Sequence, residues 1–149
     1  MEIKELYQEI ILDHGKNPRN KGQCKNFNRQ AKGHNPLCGD KVHIFLNLNN
    51  EKKVENVSFE GEGCAISLAS VSILTETVKG KDFNVAKTII NDFINMIKNE
   101  TKISINSLSD DQKTTIMSLS GVKKFPMRVK CATMAWHTLT SALDGKNNE

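Results

Sequence analysis

The stretch KVHIFLNLNNEKKVENVSFEGEG, residues 41–63, decides the fold class that the sequence predicts. Apolar residues recur at every second position in its first half, which is the period of a half-buried strand. They are Val42, Ile44, Leu46 and Leu48, with His43, Phe45 and Asn47 between them. The polar run NNEK (49–52) predicts a turn, and Val54, Val57 and Phe59 begin a return strand. The stretch therefore predicts an antiparallel hairpin, and we expect a third strand near 27–33.

Helical patterns surround this hairpin. Ile3, Leu6, Tyr7, Ile10 and Ile11 recur at helical spacing and predict an amphipathic helix over 2–13, which ends at the breaker-rich HGKNPRNKG (14–22). Further helices are predicted over 65–80, 81–100 and 109–119, and a last one follows Pro126 and ends near Gly145. The sequence thus predicts one α+β domain over 1–149, with a small antiparallel three-stranded sheet packed by helices.

Composition narrows the class of protein. Apolar residues make up 38% and charged residues 26%, which is typical of a globular chain. No apolar run is long enough to cross a bilayer, and MEIKELYQEIILDHGK (1–16) lacks the order of a signal peptide, so we expect a cytoplasmic protein without membrane contact. The net charge of +4 is mild, and one Trp and one Tyr offer no stacking platform, so no nucleic-acid partner is expected.

The chain has four cysteines: Cys24, Cys38, Cys64 and Cys131. A cytoplasmic chain of this length does not need disulfides, which leaves inert buried thiols or a reactive site. Cys24 follows a glycine-containing loop and has no local feature that would expose or ionise it. We interpret Cys24 as incidental.

In NPLCGD (35–40), Cys38 and Asp40 stand two positions apart. In an extended segment both side chains point the same way, and Gly39 permits an unusual backbone between them. The alternative is that Asp40 is an ordinary turn residue.

Cys64 lies between GEG (61–63) and the start of a predicted helix. A helix N-terminus favours an anion and so stabilises a thiolate. The alternative is a small apolar residue at the head of a buried helix.

Cys131 lies in the first turns of the final helix, beside Lys123, Lys124, Arg128 and Lys130. Nearby cations lower the pKa of a thiol, and Arg128, three residues earlier, shares a helix face with Cys131. The alternative is a solvated charge run beside a core cysteine.

Taken together, these three segments predict a shared site. Three thiolates and one carboxylate, from Cys38, Asp40, Cys64 and Cys131, suit tetrahedral zinc. Spacing alone is not diagnostic, because the chain has no C-x-x-C.

These residues also resemble a known family. NPLCGD (35–40), GEGCAISLAS (61–70) and RVKCATMAW (128–136), in this order, resemble the three cysteine motifs of the U-type iron–sulfur cluster assembly proteins. LYQEIILDHGKNPRNKG (6–22) resembles that family's opening, so the likeness covers nearly the whole chain. It implies a SufE/NifU-like α+β fold.

Two features sort the chain within that family. Scaffold members of the IscU type have a histidine directly before the third cysteine, whereas this chain has Lys130. The segment between VKGK (78–81) and Cys131 is also longer, with extra residues at about 91–110. Both features resemble the SufU type, which implies a zinc-dependent sulfur acceptor for a pyridoxal-phosphate cysteine desulfurase (SufS).

The resemblance also implies residue roles. Cys38, Asp40, Cys64 and Cys131 would bind zinc, Cys38 would accept the persulfide sulfur, and Arg128 would engage the desulfurase. A downstream iron–sulfur assembly scaffold would receive the sulfur. One alternative is a scaffold that itself binds a transient [2Fe-2S] cluster through the three cysteines, and another is a structural zinc domain that only mediates interactions.

Overall fold

The computed structural model describes residues 2–99 and 107–146, in which one helix, three strands and then further helices follow one another in the predicted order. In chain order they are helix α1 (Ile3–Lys16), strands β1 (Arg29–Asn35), β2 (Asp40–Leu48) and β3 (Val54–Glu62), helices α2 (Ala65–Val78), α3 (Phe83–Asn99) and α4 (Asp110–Met117), a 3₁₀ helix (Ser118–Lys124) and helix α5 (Pro126–Leu143). The strands form one antiparallel sheet in the order β1-β2-β3. The predicted α+β class and three-stranded sheet are confirmed. Of the extra residues predicted near 91–110, those from 100 to 106 lie outside the described part.

One face of the sheet forms the core against the helices. At the centre of the sheet Ile44 pairs with Ala31 of β1 and with Phe59 of β3, and all three side chains are fully buried. Helix α5 packs on β1 and β2, and α2 packs on β3. This arrangement brings the starts of α2 and α5 to the sheet that carries the cysteine segment of 35–40.

Phe45 differs from the simple alternation, which places it on the solvent side with His43. Phe45 is only 3% exposed. The ring of Phe27 packs edge-on against it at 5.0 Å, and the ring of His43 stacks on it at 4.0 Å. The chain before β1 therefore covers part of the outer face, which strand periodicity alone cannot show.

Helix α1 extends beyond the predicted 2–13 and is less buried at its start. Ile3 is 66% exposed and Leu6 is also exposed. The other end is anchored, because the buried His14 hydrogen-bonds through Nδ1 to Ser72 Oγ of α2 at 2.7 Å. Ile10 and Ile11 also pack against the core, so the second half of the helix positions it rather than the whole predicted apolar face.

A buried aromatic pair fixes the last helix. Trp136 of α5 stacks on Phe93 of α3 with ring centroids 3.8 Å apart, and its Nε1 donates to Ser70 Oγ of α2 at 2.9 Å. The orientation of α5, and of the cysteine in its second turn, is thereby tied to two other helices. Within 2–99 and 107–146, no helix combines the length and apolar character needed to cross a membrane.

Candidate metal and sulfur site

The three cysteine segments meet at one end of the sheet. The Sγ atoms of Cys38 and Cys131 lie 3.5 Å apart, although 93 residues separate them in the chain. The backbone N–H of Cys64 donates to Asp40 Oδ1 at 3.0 Å. The turn between β1 and β2, the start of α2 and the start of α5 therefore form one site.

The ligand atoms of three predicted residues cluster tightly. One ligand atom each from Cys38, Asp40 and Cys131 lies within 4.8 Å of the others. Among the residues with described positions, this is the group of three or more potential metal-binding side chains that such a distance selects. Cys64 is not a member of this mutually close group, and its Sγ accepts a hydrogen bond from Ser67 N–H at 3.4 Å, as the N-cap of α2.

Asp40 shows that this cluster fits a cation. Its side chain is fully buried, and Oδ2 has no hydrogen-bond partner among the described residues. A buried polar oxygen without a partner is unfavourable and calls for an ion or a water beside it. Thiolate and carboxylate donors are the ones that zinc accepts. The residues present therefore fit a zinc ion.

Two glycines allow the segments to come so close. Gly39, between Cys38 and Asp40, has φ +71°, in the left-handed region that favours glycine. At Gly63 an added Cβ would collide with Asp40 Oδ1. The backbone before Cys64 can therefore approach the buried carboxylate only because residue 63 has no side chain.

The three thiols differ in their surroundings. Cys38 and Cys64 are exposed, whereas Cys131 is only 4% exposed. Burial raises the pKa of the Cys131 thiol well above its ordinary value, and the neighbouring Asp40 carboxyl and the other two thiols raise it further. The prediction that neighbouring cations lower this pKa is therefore wrong for the metal-free chain.

The cations of α5 face away from the buried thiol. Arg128 is exposed, and its guanidinium carbon lies 4.8 Å from the centroid of the Phe125 ring. Lys130 is also exposed. The helix turns Cys131 inward while its basic neighbours reach solvent, which explains why they do not ionise the thiol.

Sequence reasoning missed Asn35, although it lies in the NPLCGD stretch. Asn35 is 6% exposed, and its Nδ2 lies 4.0 Å from the Sγ of Cys131. The available signal was its position, because Asn35 pairs with Asp40 across β1 and β2 and so points to the same face.

Cys24 is half-buried, its N–H donates to Ser58 Oγ at 2.8 Å, and it is not part of the cluster.

Comparison with known proteins finds one matching family and relatives that agree with it. Residues 6–132 match the family model described as the NifU-like N-terminal domain. The chain is 42% identical over 134 residues, 90% of this chain and 86% of the relative, to the zinc-dependent sulfurtransferase SufU of Bacillus subtilis strain 168. It is 33% identical over 146 residues, 98% and 87% of the two chains, to the iron-sulfur cluster assembly scaffold protein IscU of Streptococcus pyogenes serotype M1.

A solved structure shows the same architecture. The crystal structure of a putative iron-sulfur cluster assembly scaffold protein for the SUF system, from the thermophile Fervidobacterium islandicum AW-1, superposes with a TM-score of 0.79. Its sequence is 32% identical, and the match covers 93% of this chain and 97% of that chain. The similarity therefore extends over nearly the whole of both proteins.

Proposed function

Because the chain belongs to the NifU-like N-terminal domain family of iron–sulfur cluster assembly proteins, we propose that it is a zinc-dependent sulfur acceptor serving a cysteine desulfurase. The observation that carries this proposal is the cluster of Cys38, Asp40 and Cys131, in which a fully buried carboxylate leaves one oxygen without a partner. Similarity to a relative named as a zinc-dependent sulfurtransferase supports it.

In this proposal Cys38, Asp40, Cys64 and Cys131 hold the zinc. Bound zinc keeps the cysteine ligands deprotonated at neutral pH, so a thiolate is available without an added base. Exposure separates the buried Cys131 from Cys38 and Cys64, which are both exposed. Cys64 is held as the N-cap of α2, because its Sγ accepts from Ser67 N–H and its own N–H donates to Asp40. Cys38 lies on the exposed turn and is therefore the proposed acceptor.

The transfer step is an exchange between sulfur atoms. The Cys38 thiolate attacks the terminal sulfur of a persulfide on the desulfurase and forms a new S–S bond. The S–S bond of the desulfurase breaks, and its electron pair leaves with the desulfurase cysteine as a thiolate. No net oxidation occurs, and Cys38 then carries a persulfide destined for an iron–sulfur assembly scaffold.

Arg128 is proposed to contact the desulfurase. Its exposure on α5, near the start of the helix that carries Cys131, leaves the guanidinium accessible to a partner. We expect Arg128→Ala to slow sulfur transfer without changing zinc content, whereas the exposed Lys124→Ala serves as a charge-matched control.

Because the thiols must stay free, we also propose that the protein works in the reducing cytoplasm.

The deciding experiment combines metal analysis with mass spectrometry. Protein purified without oxygen is analysed for zinc, iron and acid-labile sulfide, then incubated with a pyridoxal-phosphate cysteine desulfurase and cysteine. We expect zinc without sulfide, followed by a gain of one sulfur atom on Cys38. Cys38→Ser should lose this gain, and Cys24→Ser should keep it.

The rival function is a scaffold that binds a transient [2Fe-2S] cluster, as the name of the S. pyogenes relative suggests. Iron with matching sulfide in the purified protein would favour this scaffold. Zinc with no sulfur gain in the presence of an active desulfurase would instead favour a structural zinc domain. Lys130 stands where scaffold members have a histidine, and this favours the sulfur acceptor.

A further inference from the structure

The three sulfurs of the site differ in the N–H groups that donate to them, and the partner recorded for Cys38 Sγ is the Cys131 thiol at 3.5 Å. Cys64 Sγ accepts from Ser67 N–H at 3.4 Å, and Cys131 Sγ lies 4.0 Å from the amide nitrogen of Asn35. Within the described part of the chain, no N–H group donates to Cys38 Sγ. A hydrogen bond to a metal-bound thiolate draws electron density from the sulfur and holds the ligand in place. Cys38 therefore lacks the restraint that the other two cysteines have.

The amide orientation of Asn35 follows from its second contact. The backbone N–H of Leu37 donates to Asn35 Oδ1 at 3.3 Å. A backbone N–H requires an acceptor, so the oxygen of the amide faces Leu37 and the NH₂ group faces Cys131. Asn35 thus connects the turn that carries Cys38 to the sulfur of Cys131.

We propose that Asn35 is a positioning residue that keeps Cys131 as the permanent metal ligand, so that Cys38 is the thiolate free to leave and accept sulfur. This inference rests on the proposed function. It explains why two sulfurs only 3.5 Å apart would take different roles. It also assigns a task to a buried polar side chain that the transfer step does not use.

The test substitutes Asn35 with serine, whose hydroxyl can still accept from Leu37 N–H but is too short to reach Cys131. Asn28→Ser is the matched control, because the Asn28 amide also donates and accepts, bonding Leu48 O at 2.7 Å and Leu48 N–H at 2.9 Å. Zinc affinity is measured by chelator competition. Cobalt is then bound alone as a spectroscopic probe of the thiolate ligands.

We expect Asn35→Ser to weaken zinc binding by about 10–100-fold, as loss of a hydrogen bond to a metal ligand does. Its thiolate-to-cobalt absorption should move to lower energy, because the sulfur lone pairs are no longer stabilised by the amide. Asn28→Ser should match the wild type in both readouts. If Asn35→Ser fails to fold by circular dichroism, Asn35→Thr supplies the same test with a better strand former.

Two outcomes would overturn the inference. One is an Asn35→Ser protein with unchanged affinity and spectrum, and the other is equal weakening in Asn28→Ser, which would indicate a general effect on the sheet. Failure of the proposed function would look different, because the wild-type protein itself would then either retain no zinc or bind zinc and gain no sulfur from an active desulfurase.

Discussion

Asp40 joins two roles in one side chain. Its Oδ1 anchors the start of α2 through Cys64 N–H, while Oδ2 remains buried and without a partner among the described residues. Leaving a buried acceptor unsatisfied costs roughly 1–3 kcal/mol. The metal-free site therefore lowers the stability of the fold, and such a loss of stability in favour of function is common at functional sites.

Because of this unsatisfied oxygen, we expect Asp40→Asn to stabilise the metal-free protein but to reduce the stabilisation by zinc. The asparagine oxygen can still accept from Cys64 N–H, and its NH₂ can donate to a thiol, so the metal-free protein should gain about 1–3 kcal/mol in the free energy of unfolding. Zinc should stabilise the variant less than the wild type, because a charged ligand is lost. Thermal melts with and without zinc measure both effects. The exposed Asp110→Asn is the control, and a metal-free Asp40→Asn that melts below the wild type would contradict the argument.

His14 predicts a pH dependence of stability. Burial lowers its pKa below the ordinary value, and the nearby Arg19 lowers it further. Below about pH 6.5 the unfolded chain therefore binds more protons than the folded protein, so this contribution is fully present above that value and is lost as the pH falls from it through the lower pKa of the folded state. We expect the free energy of unfolding in urea to decrease more for the wild type than for His14→Gln between about pH 8 and about pH 5.5. The exposed His34→Gln should follow the wild type, and a His14→Gln profile parallel to it would disprove the assignment.

At the scale of elements, the junction between β3 and α2 positions the carboxylate. Gly63→Ala would drive a Cβ into Asp40 Oδ1 and displace it from the cluster. We expect at least about 10-fold weaker zinc binding, as when a ligand loses its support, and a loss of roughly 1–3 kcal/mol in the stability of the metal-free protein from overpacking. Chelator competition measures the zinc affinity, and urea unfolding measures the stability of the metal-free protein.

The control for this junction is Gly121→Ala in the 3₁₀ helix, where an added Cβ meets nothing within 4 Å. It should keep wild-type affinity for zinc. If Gly63→Ala also kept that affinity, the close packing of residue 63 on Asp40 would not matter for the site.

Individual elements could largely be predicted because their signals are local. The hairpin follows from period-two alternation, and the helix predicted to begin at 109 has Ser109 as its N-cap, accepting from Gln112 N–H at 3.1 Å. What escaped prediction depends on contacts between distant residues. Phe45 is covered in part by Phe27, which lies before β1, and no pattern within β2 records that contact.

At the scale of the whole molecule, the site depends on three segments that local patterns treat separately. The ordered motifs identified the candidate ligands, and the structure brings Cys38, Asp40 and Cys131 together. The burial of Cys131 was not predictable from its basic neighbours, because the way α5 faces the core is set by packing such as that of Trp136 on Phe93.

The same topology predicts that zinc stabilises the entire fold. A metal that joins Cys38 to Cys131 closes a loop across 93 residues, and clips that close long loops stabilise most in theory. At free zinc of about 100 times the dissociation constant, linkage gives about 2.7 kcal/mol. For a chain of this size that is roughly 5–10 °C in Tm.

Scanning calorimetry at several zinc concentrations tests this coupling. Tm should rise with zinc in the wild type and in Cys24→Ser, because Cys24 lies outside the cluster. Cys64→Ala should show a much smaller rise, since Cys64 is a proposed ligand. A zinc-independent Tm in the wild type would mean that the three segments are held together by packing alone, and the proposed zinc site would then have to be abandoned. A full rise in Cys64→Ala would instead leave Cys38, Asp40 and Cys131 as a sufficient ligand set.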